Sequence, residues 1–128
     1  MKRMMLLMLC SLAVPAIAGR TQPVYEPEIL VDGKPSTDQI AQVIKKALVA
    51  RTWAVKGDEK GVISAQIWVR SHSAKIKVHY NKKKITIKYV ASENLAEKHK
   101  GDTVFIHRNY NRWIKNLEND ISRAIFSL

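Results

Sequence analysis

Cysteine is nearly absent from this 128-residue chain. Its single thiol, at Cys10, lies in an apolar segment close to the amino terminus. If that segment is removed during export, the remaining chain has no cysteine and can form no disulfide. We therefore expect the folded part to be held together by the packing of its own apolar side chains.

Acidic residues are also scarce. The chain has 22 Lys and Arg against 11 Asp and Glu, which gives a formal net charge of +11 at pH 7. A basic surface of this kind attracts polyanions, which outside the cytoplasm are phospholipid head groups, lipopolysaccharide, acidic glycans and free DNA. The same excess keeps a small domain in solution through self-repulsion. Charge alone leaves both interpretations open.

The motifs of the common catalytic and metal sites are missing. The sequence has no His-Glu-x-x-His helix, no Gly-x-Ser-x-Gly turn and no phosphate-binding glycine loop. Its histidines lack the spacing of metal ligands. The sequence therefore predicts a protein without enzymatic activity, metal or cofactor. The four histidines are His72, His79, His99 and His107.

Only one long apolar run is present, from Met4 to Val14. It follows two basic residues, is too short for a permanent transmembrane helix, and is followed by small residues that end at Ala18. This pattern is typical of a secretory signal peptide, residues 1–18, so we expect a periplasmic or secreted protein. The alternative is a lipid anchor at Cys10, which the bulky residues before that cysteine disfavour.

Proline and glycine are few but concentrated in residues 19–35. Proline removes backbone hydrogen-bond donors and disfavours helix there. We interpret this segment as an extended N-terminal arm with a short extended piece at Ile29 to Val31. Residues 36–128 are then expected to form a single α+β domain.

Two amphipathic helices are predicted, one at each end of this domain. Ser36 or Thr37 can cap the first helix, and Asn109 or His107 the second. Apolar residues recur every three or four positions in both segments, so one stripe of each helix faces a core. The stripes are Ile40, Val43, Ile44, Ala47 and Leu48 in the first helix and Tyr110, Trp113, Ile114, Leu117, Ile121 and Ile125 in the second.

Between the helices the apolar period changes to two, which is typical of half-buried strands. A short strand begins at Trp53, and three clearer strands follow. Tight turns between them predict an antiparallel meander of three or four strands with one apolar face. Both helices can cover that face, so the predicted fold is a two-layer α+β domain of order α-β-β-β-β-α.

Two-residue turns at Lys82-Lys83 and at Ser71-His72 set the expected register of the meander. A slip of one residue would turn the apolar side chains outward, so the pattern itself supports the pairing. The predicted pairs are Tyr80 with Ile85, Val78 with Ile87, Ile76 with Tyr89, Val69 with Ala74, Ile67 with Ile76 and Ala65 with Val78.

The opposite face of the predicted sheet is basic. Lys77 lies across from Lys88, and like charges placed in this way destabilise a sheet slightly. Lysines beside a tryptophan suit a phosphate- or sulfate-bearing ligand, because ammonium groups supply charge and an indole packs against sugar, base or acyl chain. The candidate ligand-binding residues are Trp68, Arg70, Lys75, Lys77, His79 and Lys88.

The same register predicts the neighbours of each cation. An alternative interpretation of this face needs no ligand, because exposed lysines discourage association between sheet edges. In that interpretation the N-terminal arm covers Trp68. The predicted neighbours are Gln66 and Lys88 for Lys77, Trp68 and Val90 for Lys75, and Ser64 and Thr86 for His79.

Three stretches of the chain carry a resemblance to a known family. They are Gly61 to Ala65, Tyr89 to Leu95 and Ile106 to Trp113. Their Ser-x-Asn-Leu and Ile-His-x-x-Tyr-Asn-x-Trp motifs resemble a family of small exported proteobacterial proteins, many of them lipoproteins. The resemblance covers roughly residues 36–125. It implies a location in a Gram-negative envelope and no particular activity.

The motif residues crowd polar side chains into the crossing from the last strand to the last helix. Backbone groups lose their strand partners at such a crossing and need substitutes, so capping and loop pinning explain the cluster. A small ligand pocket is the alternative. The cluster comprises Ser92, Asn94, His107, Tyr110, Asn111 and Trp113.

These observations favour a non-enzymatic envelope protein that binds an anionic envelope component or a protein partner. A nucleic-acid-binding module is an alternative, which export disfavours. A structural or assembly adaptor of the envelope is another. The sequence leaves the ligand and the oligomeric state open.

Overall fold

The computed structural model describes residues 20–128. The predicted signal peptide and Cys10 lie outside the described residues. In chain order the elements are β1 (Thr21–Pro23), β2 (Glu28–Leu30), α1 (Thr37–Ala50), β3 (Ala54–Glu59), β4 (Val62–Val69), β5 (His72–Tyr80), β6 (Lys84–Glu93), β7 (Lys98–Lys100), β8 (Thr103–His107) and α2 (Arg108–Phe126).

The strands of the described part form two antiparallel sheets, so the predicted α+β class is confirmed. One sheet has five strands in the order β2-β6-β5-β4-β3, and the predicted meander is its β3 to β6 portion. The other sheet has three strands in the order β1-β8-β7. The N-terminal arm supplies one strand to each sheet, through β1 and β2, and is thereby built into the fold.

Helix α1 begins with a capping box. The backbone N–H of Gln39 donates to Ser36 Oγ (3.1 Å), and the Ser36 N–H donates to Gln39 Oε1 (2.9 Å). This arrangement satisfies donors that no helical carbonyl can reach, and it identifies Ser36 as the cap. The predicted apolar stripe of α1 is buried, with Ile40, Ile44 and Leu48 fully inaccessible.

Helix α2 follows β8 directly and is capped by His107. The imidazole Nδ1 of His107 accepts a hydrogen bond from the Asn109 N–H at 3.1 Å. Four residues of the predicted stripe are fully buried, whereas Trp113 and Ile125 only pack at the edge of the core. The fully buried residues are Tyr110, Ile114, Leu117 and Ile121.

The β5–β6 hairpin has the predicted register over its first half. Tyr80 lies opposite Ile85, Val78 opposite Ile87 and Ile76 opposite Tyr89. A bulge between Ile76 and Lys75 then skips Val90, so Lys75 lies opposite Ala91. The predicted neighbour Val90 is therefore wrong, because alternation along the strand cannot show an inserted residue.

The β4–β5 register predicted from a Ser71-His72 turn is wrong by two residues. The turn residues are Arg70 and Ser71, and Val69 pairs with His72. Arg70 has a φ of 58°, which the tight turn requires. A shift of two residues keeps every side chain on its original face, so the apolar pattern cannot distinguish the two registers.

The three-stranded sheet was not expected from the sequence. Strand β7 consists of Lys98, His99 and Lys100, all exposed, and so it lacks the alternation that marks a half-buried strand. It pairs with β8 through a turn at Gly101, whose φ is 59°. The small sheet fixes the start of α2 and anchors β1.

The core lies between the five-stranded sheet and the two helices. Ile63, Ile76 and Ile87 of neighbouring strands are at most 1 % exposed and face the buried stripes of α1 and α2. We call the other side of this sheet the outer face. No helix within residues 20–128 is long and apolar enough to cross a membrane.

Candidate ligand-binding face

The outer face carries a compact group of lysines on its central strands. Lys75 and Lys77 lie on β5 and Lys88 lies on β6, and all three are exposed. Lys77 is the cross-strand partner of Lys88, as predicted. Two ammonium groups are thus held on adjacent strands by the backbone register.

The other neighbours of these cations differ from the prediction, because β4 is shifted by two residues. Each outward side chain of β5 meets a residue of β4 two positions earlier than expected. The observed partners are Ser64 for Lys77, Gln66 and Ala91 for Lys75, and Val62 and Thr86 for His79. Trp68 lies opposite Ser73, so its predicted pairing with Lys75 is wrong.

Trp68 is an exposed aromatic residue at one end of the outer face. Its accessible fraction is 56 %. The alternative in which the arm covers Trp68 does not hold for the described residues, because β1 pairs with β8 and β2 pairs with the Lys84–Thr86 segment of β6. A side chain of this size exposed on a sheet of a small domain is available for a ligand.

Lys56 is a cation that the sequence analysis missed. It sits in a second bulge, between Val55 and Gly57 of β3, and its Nζ lies 5.4 Å from the centroid of the Trp68 ring. The ammonium group is close enough for a cation–π interaction. No alternation signal marks this residue, because the bulge breaks the period of the strand.

Val90 adds a second apolar side chain to the same end of the face. It is the extra residue of the β6 bulge and is 46 % exposed. Trp68 and Val90 lie on opposite sides of the Ser73–Lys75 segment of β5. The face therefore combines an apolar end with the lysine group.

Within the described part of the chain, no carboxylate forms an ion pair with the lysine group. The carboxylates that are paired among residues 20–128 contact Lys45, Arg51, Lys84 and His99. None of these ion pairs involves Lys75, Lys77 or Lys88. Acidic residues of the outer strands lie at the margins, for example Glu28, which pairs with Lys84 at 3.4 Å.

Of the remaining two predicted face residues, one lies apart from this group and one lies beside it. Arg70 is in the β4–β5 turn, beyond Trp68, and its backbone is left-handed. His79 is the next outward residue after Lys77 on β5 and pairs with Thr86. The structure thus brings five of the six predicted residues onto one face, Trp68, Lys75, Lys77, His79 and Lys88, and adds Lys56 and Val90.

The polar motif cluster makes hydrogen bonds within the fold. Asn111 is 5 % exposed and holds the arm against α2. Its Oδ1 accepts the Tyr25 N–H (2.9 Å), while its Nδ2 donates to the Pro23 carbonyl (2.9 Å) and to Gln22 Oε1 (3.1 Å). These contacts satisfy both polar atoms of the buried amide.

Asn94 and His72 pin the β4–β5 turn to the end of β6. The Asn94 Nδ2 donates to the Ser71 carbonyl at 2.7 Å, and the His72 Nδ1 donates to the Asn94 carbonyl at 2.6 Å. Asn94 has a φ of 59°, a conformation that asparagine tolerates better than most residues. This anchor selects the observed register of β4 and β5.

Tyr110 is fully buried and packs against the partly buried Tyr89. Their rings pack edge to face with centroids 5.3 Å apart. The Tyr110 hydroxyl is buried without a hydrogen-bond partner among residues 20–128. Burial, followed by the nearby Glu26 carboxylate and Tyr89, raises the pKa of Tyr110 far above its ordinary value.

Tyr89 is bound on several sides. Its hydroxyl lies 2.8 Å from Ser92 Oγ and donates to Glu97, and its backbone N–H donates to Glu26 (2.8 Å). Burial, with a further contribution from Glu97, raises the pKa of Tyr89 to about 12. The pKa of Glu97 is lowered, first by the Tyr89 hydroxyl and then by His99.

A pH titration of the tyrosines tests these contacts. All four tyrosines of the chain have a pKa raised above 10, including Tyr25 beside Glu118 and Tyr80, which is partly buried beside Asp58. The tyrosines of the unfolded chain therefore ionise at a lower pH than those of the folded protein. The stability that these tyrosines contribute is fully present below pH 10 and is lost as the pH rises toward about 12, the pKa of Tyr89.

Phenolate absorbance should therefore rise at a higher pH in the folded protein than in the urea-unfolded protein. A folded-state curve that coincides with the unfolded curve would contradict the contacts described for Tyr89 and Tyr110.

Neither region of the described chain groups the side chains that a metal ion requires. Among residues 20–128, no group of three or more His, Cys, Asp or Glu side chains is placed to hold a metal ion. Ser92, Asn94, His107, Tyr110 and Asn111 are engaged in packing, capping or pinning, and Trp113 packs at the core edge. The outer face is the region whose chemistry the fold does not use.

Comparisons of the chain with protein-family models, with curated proteins and with solved structures found no match. The resemblance to small exported proteobacterial proteins stays a prediction from the motifs. The outer face is the feature of the described residues that points to a function.

Proposed function

We propose that this chain is a non-enzymatic protein of the bacterial envelope, exported to the periplasm or beyond, that binds an anionic envelope component through its outer face. One observation carries the proposal: Lys75, Lys77 and Lys88 project together from the central strands without carboxylate partners. Phospholipid head groups are among the anions of that location.

Folding gains nothing from the Lys77–Lys88 pair. Like charges directly opposite each other cost a sheet roughly a few tenths of a kcal/mol. Threonine or glutamine at these positions would keep the face polar without that cost. The arrangement is accounted for when an anion lies between the two ammonium groups.

The apolar end of the face suits an amphiphilic ligand better than a simple ion. Trp68 and Val90 are exposed beside Lys56 and Lys75. Tryptophan partitions to the boundary between water and lipid, where its ring is buried and its N–H stays hydrated. Lysines reach the head groups from the same level. The face therefore matches the surface of an anionic membrane.

Sedimentation with vesicles tests the proposal. The protein purified after export is expected to sediment with phosphatidylglycerol vesicles and to remain free with phosphatidylcholine vesicles. Added salt should release it, because exposed charges are screened. Equal retention on both lipids, or no retention on either, would contradict the proposal. Preferential binding to a DNA duplex added as competitor would replace it with nucleic-acid binding.

A further inference from the structure

A groove of about 710 Å³ lies between β2 and the carboxyl-terminal end of α2. It is separate from the lysine group, since none of those lysines lines it. Its apolar rim includes Leu30, which is 80 % exposed, and Phe126, which is 93 % exposed. Apolar side chains this exposed on both sides of a groove mark an interaction surface.

One wall of the groove is an open sheet edge. Strand β2 ends the five-stranded sheet, and among the strands of residues 20–128 it pairs with β6 alone. The Pro27 carbonyl accepts from the Ile87 N–H (3.1 Å), and the Val31 N–H donates to the Lys83 carbonyl (2.8 Å). Bonding groups alternate in direction along an antiparallel strand, so Ile29 also faces β6.

The backbone groups of Glu28 and Leu30 consequently point away from β6, toward open space. No backbone hydrogen bond among residues 20–128 outside the strand ladders uses them. An edge with unpaired N–H and C=O groups is the template on which an extended peptide adds a strand. A helix lying beside such an edge provides the pocket for alternate side chains of that peptide.

The groove is acidic although the chain is basic. Glu28, Asp32 and Glu118 line it together with one ammonium group, that of Lys34. Glu28 also pairs with Lys84 at 3.4 Å, but the three carboxylates outnumber these two cations, while the whole chain carries a net charge of +11. Complementary charge favours a positively charged occupant and disfavours an acidic one.

We propose that this groove binds an extended basic peptide of another protein, which pairs with the free edge of β2. Side chains of an extended peptide alternate in direction. One set, Lys or Arg, lies on the side of β2 that carries Glu28, and the other set, apolar, lies on the side of α2, where it packs on Phe126. This partner site is independent of the lipid-binding function proposed for the outer face.

Binding of two fluorescent peptides tests the proposal. Both have about eight residues, one alternating Lys with Val and the other Glu with Val, so they share backbone and β propensity. Fluorescence anisotropy should show binding of the Lys peptide and none of the Glu peptide. Equal affinity for both peptides would overturn the proposal.

Two variants test separately the hydrogen bonding to the β2 edge and the attraction by the acidic side chains. Leu30→Pro removes an outward N–H while the bonds to β6 stay, and it should weaken binding by about fivefold relative to Leu30→Ala. Glu28→Gln with Asp32→Asn should abolish the preference for the Lys peptide even if Leu30→Pro does not fold.

The Leu30→Pro variant gives two further tests, its affinity for the Lys peptide and its oligomeric state. Unchanged affinity in a folded Leu30→Pro protein would overturn the proposal. So would a dimer that this variant dissociates, because a second copy then occupies the edge. Neither result bears on vesicle binding by the outer face, which the Lys peptide does not use.

Discussion

Replacing Lys75, Lys77 and Lys88 together by glutamine is expected to weaken retention on anionic vesicles roughly a hundredfold. A lysine near an anionic membrane contributes about 1 kcal/mol, and three of them contribute about two powers of ten in affinity. These lysines are exposed and lack ion-pair partners among the described residues. Their charge is therefore free to act on a ligand, and the loss appears in vesicle sedimentation at low salt.

A matched variant distinguishes the face from the overall charge. Replacing Lys46, Lys98 and Arg112 by glutamine removes the same charge from exposed positions on α1, β7 and α2. This control should keep most of the retention. An equal loss in both variants would show that net charge alone drives binding and would contradict a site on the outer face.

The same triple variant should fold normally. Because it removes the repulsion between Lys77 and Lys88, its melting temperature should equal or slightly exceed that of the wild type. A marked fall in melting temperature would mean that these lysines serve the fold.

Asn111→Ala is expected to destabilise the protein by about 2–4 kcal/mol. The substitution leaves the Tyr25 N–H and the Pro23 carbonyl without their partners at a part-buried contact, where Asn111 itself is 5 % exposed. Unpaired buried polar groups cost about 1–3 kcal/mol each. Urea unfolding followed by circular dichroism measures the change.

The loss should be concentrated at the arm. Val24 donates its N–H to the Val104 carbonyl at 2.9 Å, next to the Asn111 contacts, so hydrogen exchange at Val24 should accelerate strongly. Asn119→Ala, at an exposed position of the same helix, is the control and should change little. Comparable destabilisation by both variants would remove the anchoring role of Asn111.

Several parts of the fold followed from local chemistry. Ser36 caps α1 and His107 caps α2, since a side-chain acceptor just before an apolar stripe satisfies the first helical N–H groups. The β5–β6 register followed from apolar pairs on both sides of the Lys82-Lys83 turn. In these places sequence neighbours and spatial neighbours coincide.

The features of the fold that were not predicted from the sequence depend on long-range contacts or on bulges. The β4–β5 register depends on Asn94, which lies 23 residues beyond the Ser71 carbonyl that it binds. The β6 bulge and the β3 bulge insert residues that leave no trace in the hydrophobic period. Strand β7 is entirely exposed and depends on its pairing with β8.

The candidate face was predictable because a register shift of two residues leaves every side chain on the same side of the sheet. Lys75, Lys77 and Lys88 stay on the outer face in either register. The predicted cross-strand neighbours changed with the register. Trp68 lies opposite Ser73, and the cation near its ring is Lys56. The groove beside β2 was not predictable, since it needs the arm to pair with β6 and to lie beside α2.

The most direct test of the central claim is to locate the bound surface by backbone amide NMR with anionic bicelles. The account predicts that the largest shift changes lie on the outer face, around Lys75, Lys77, Lys88 and Trp68, with little change along α1 and α2. Changes centred on the helices, or spread evenly over the protein, would contradict it.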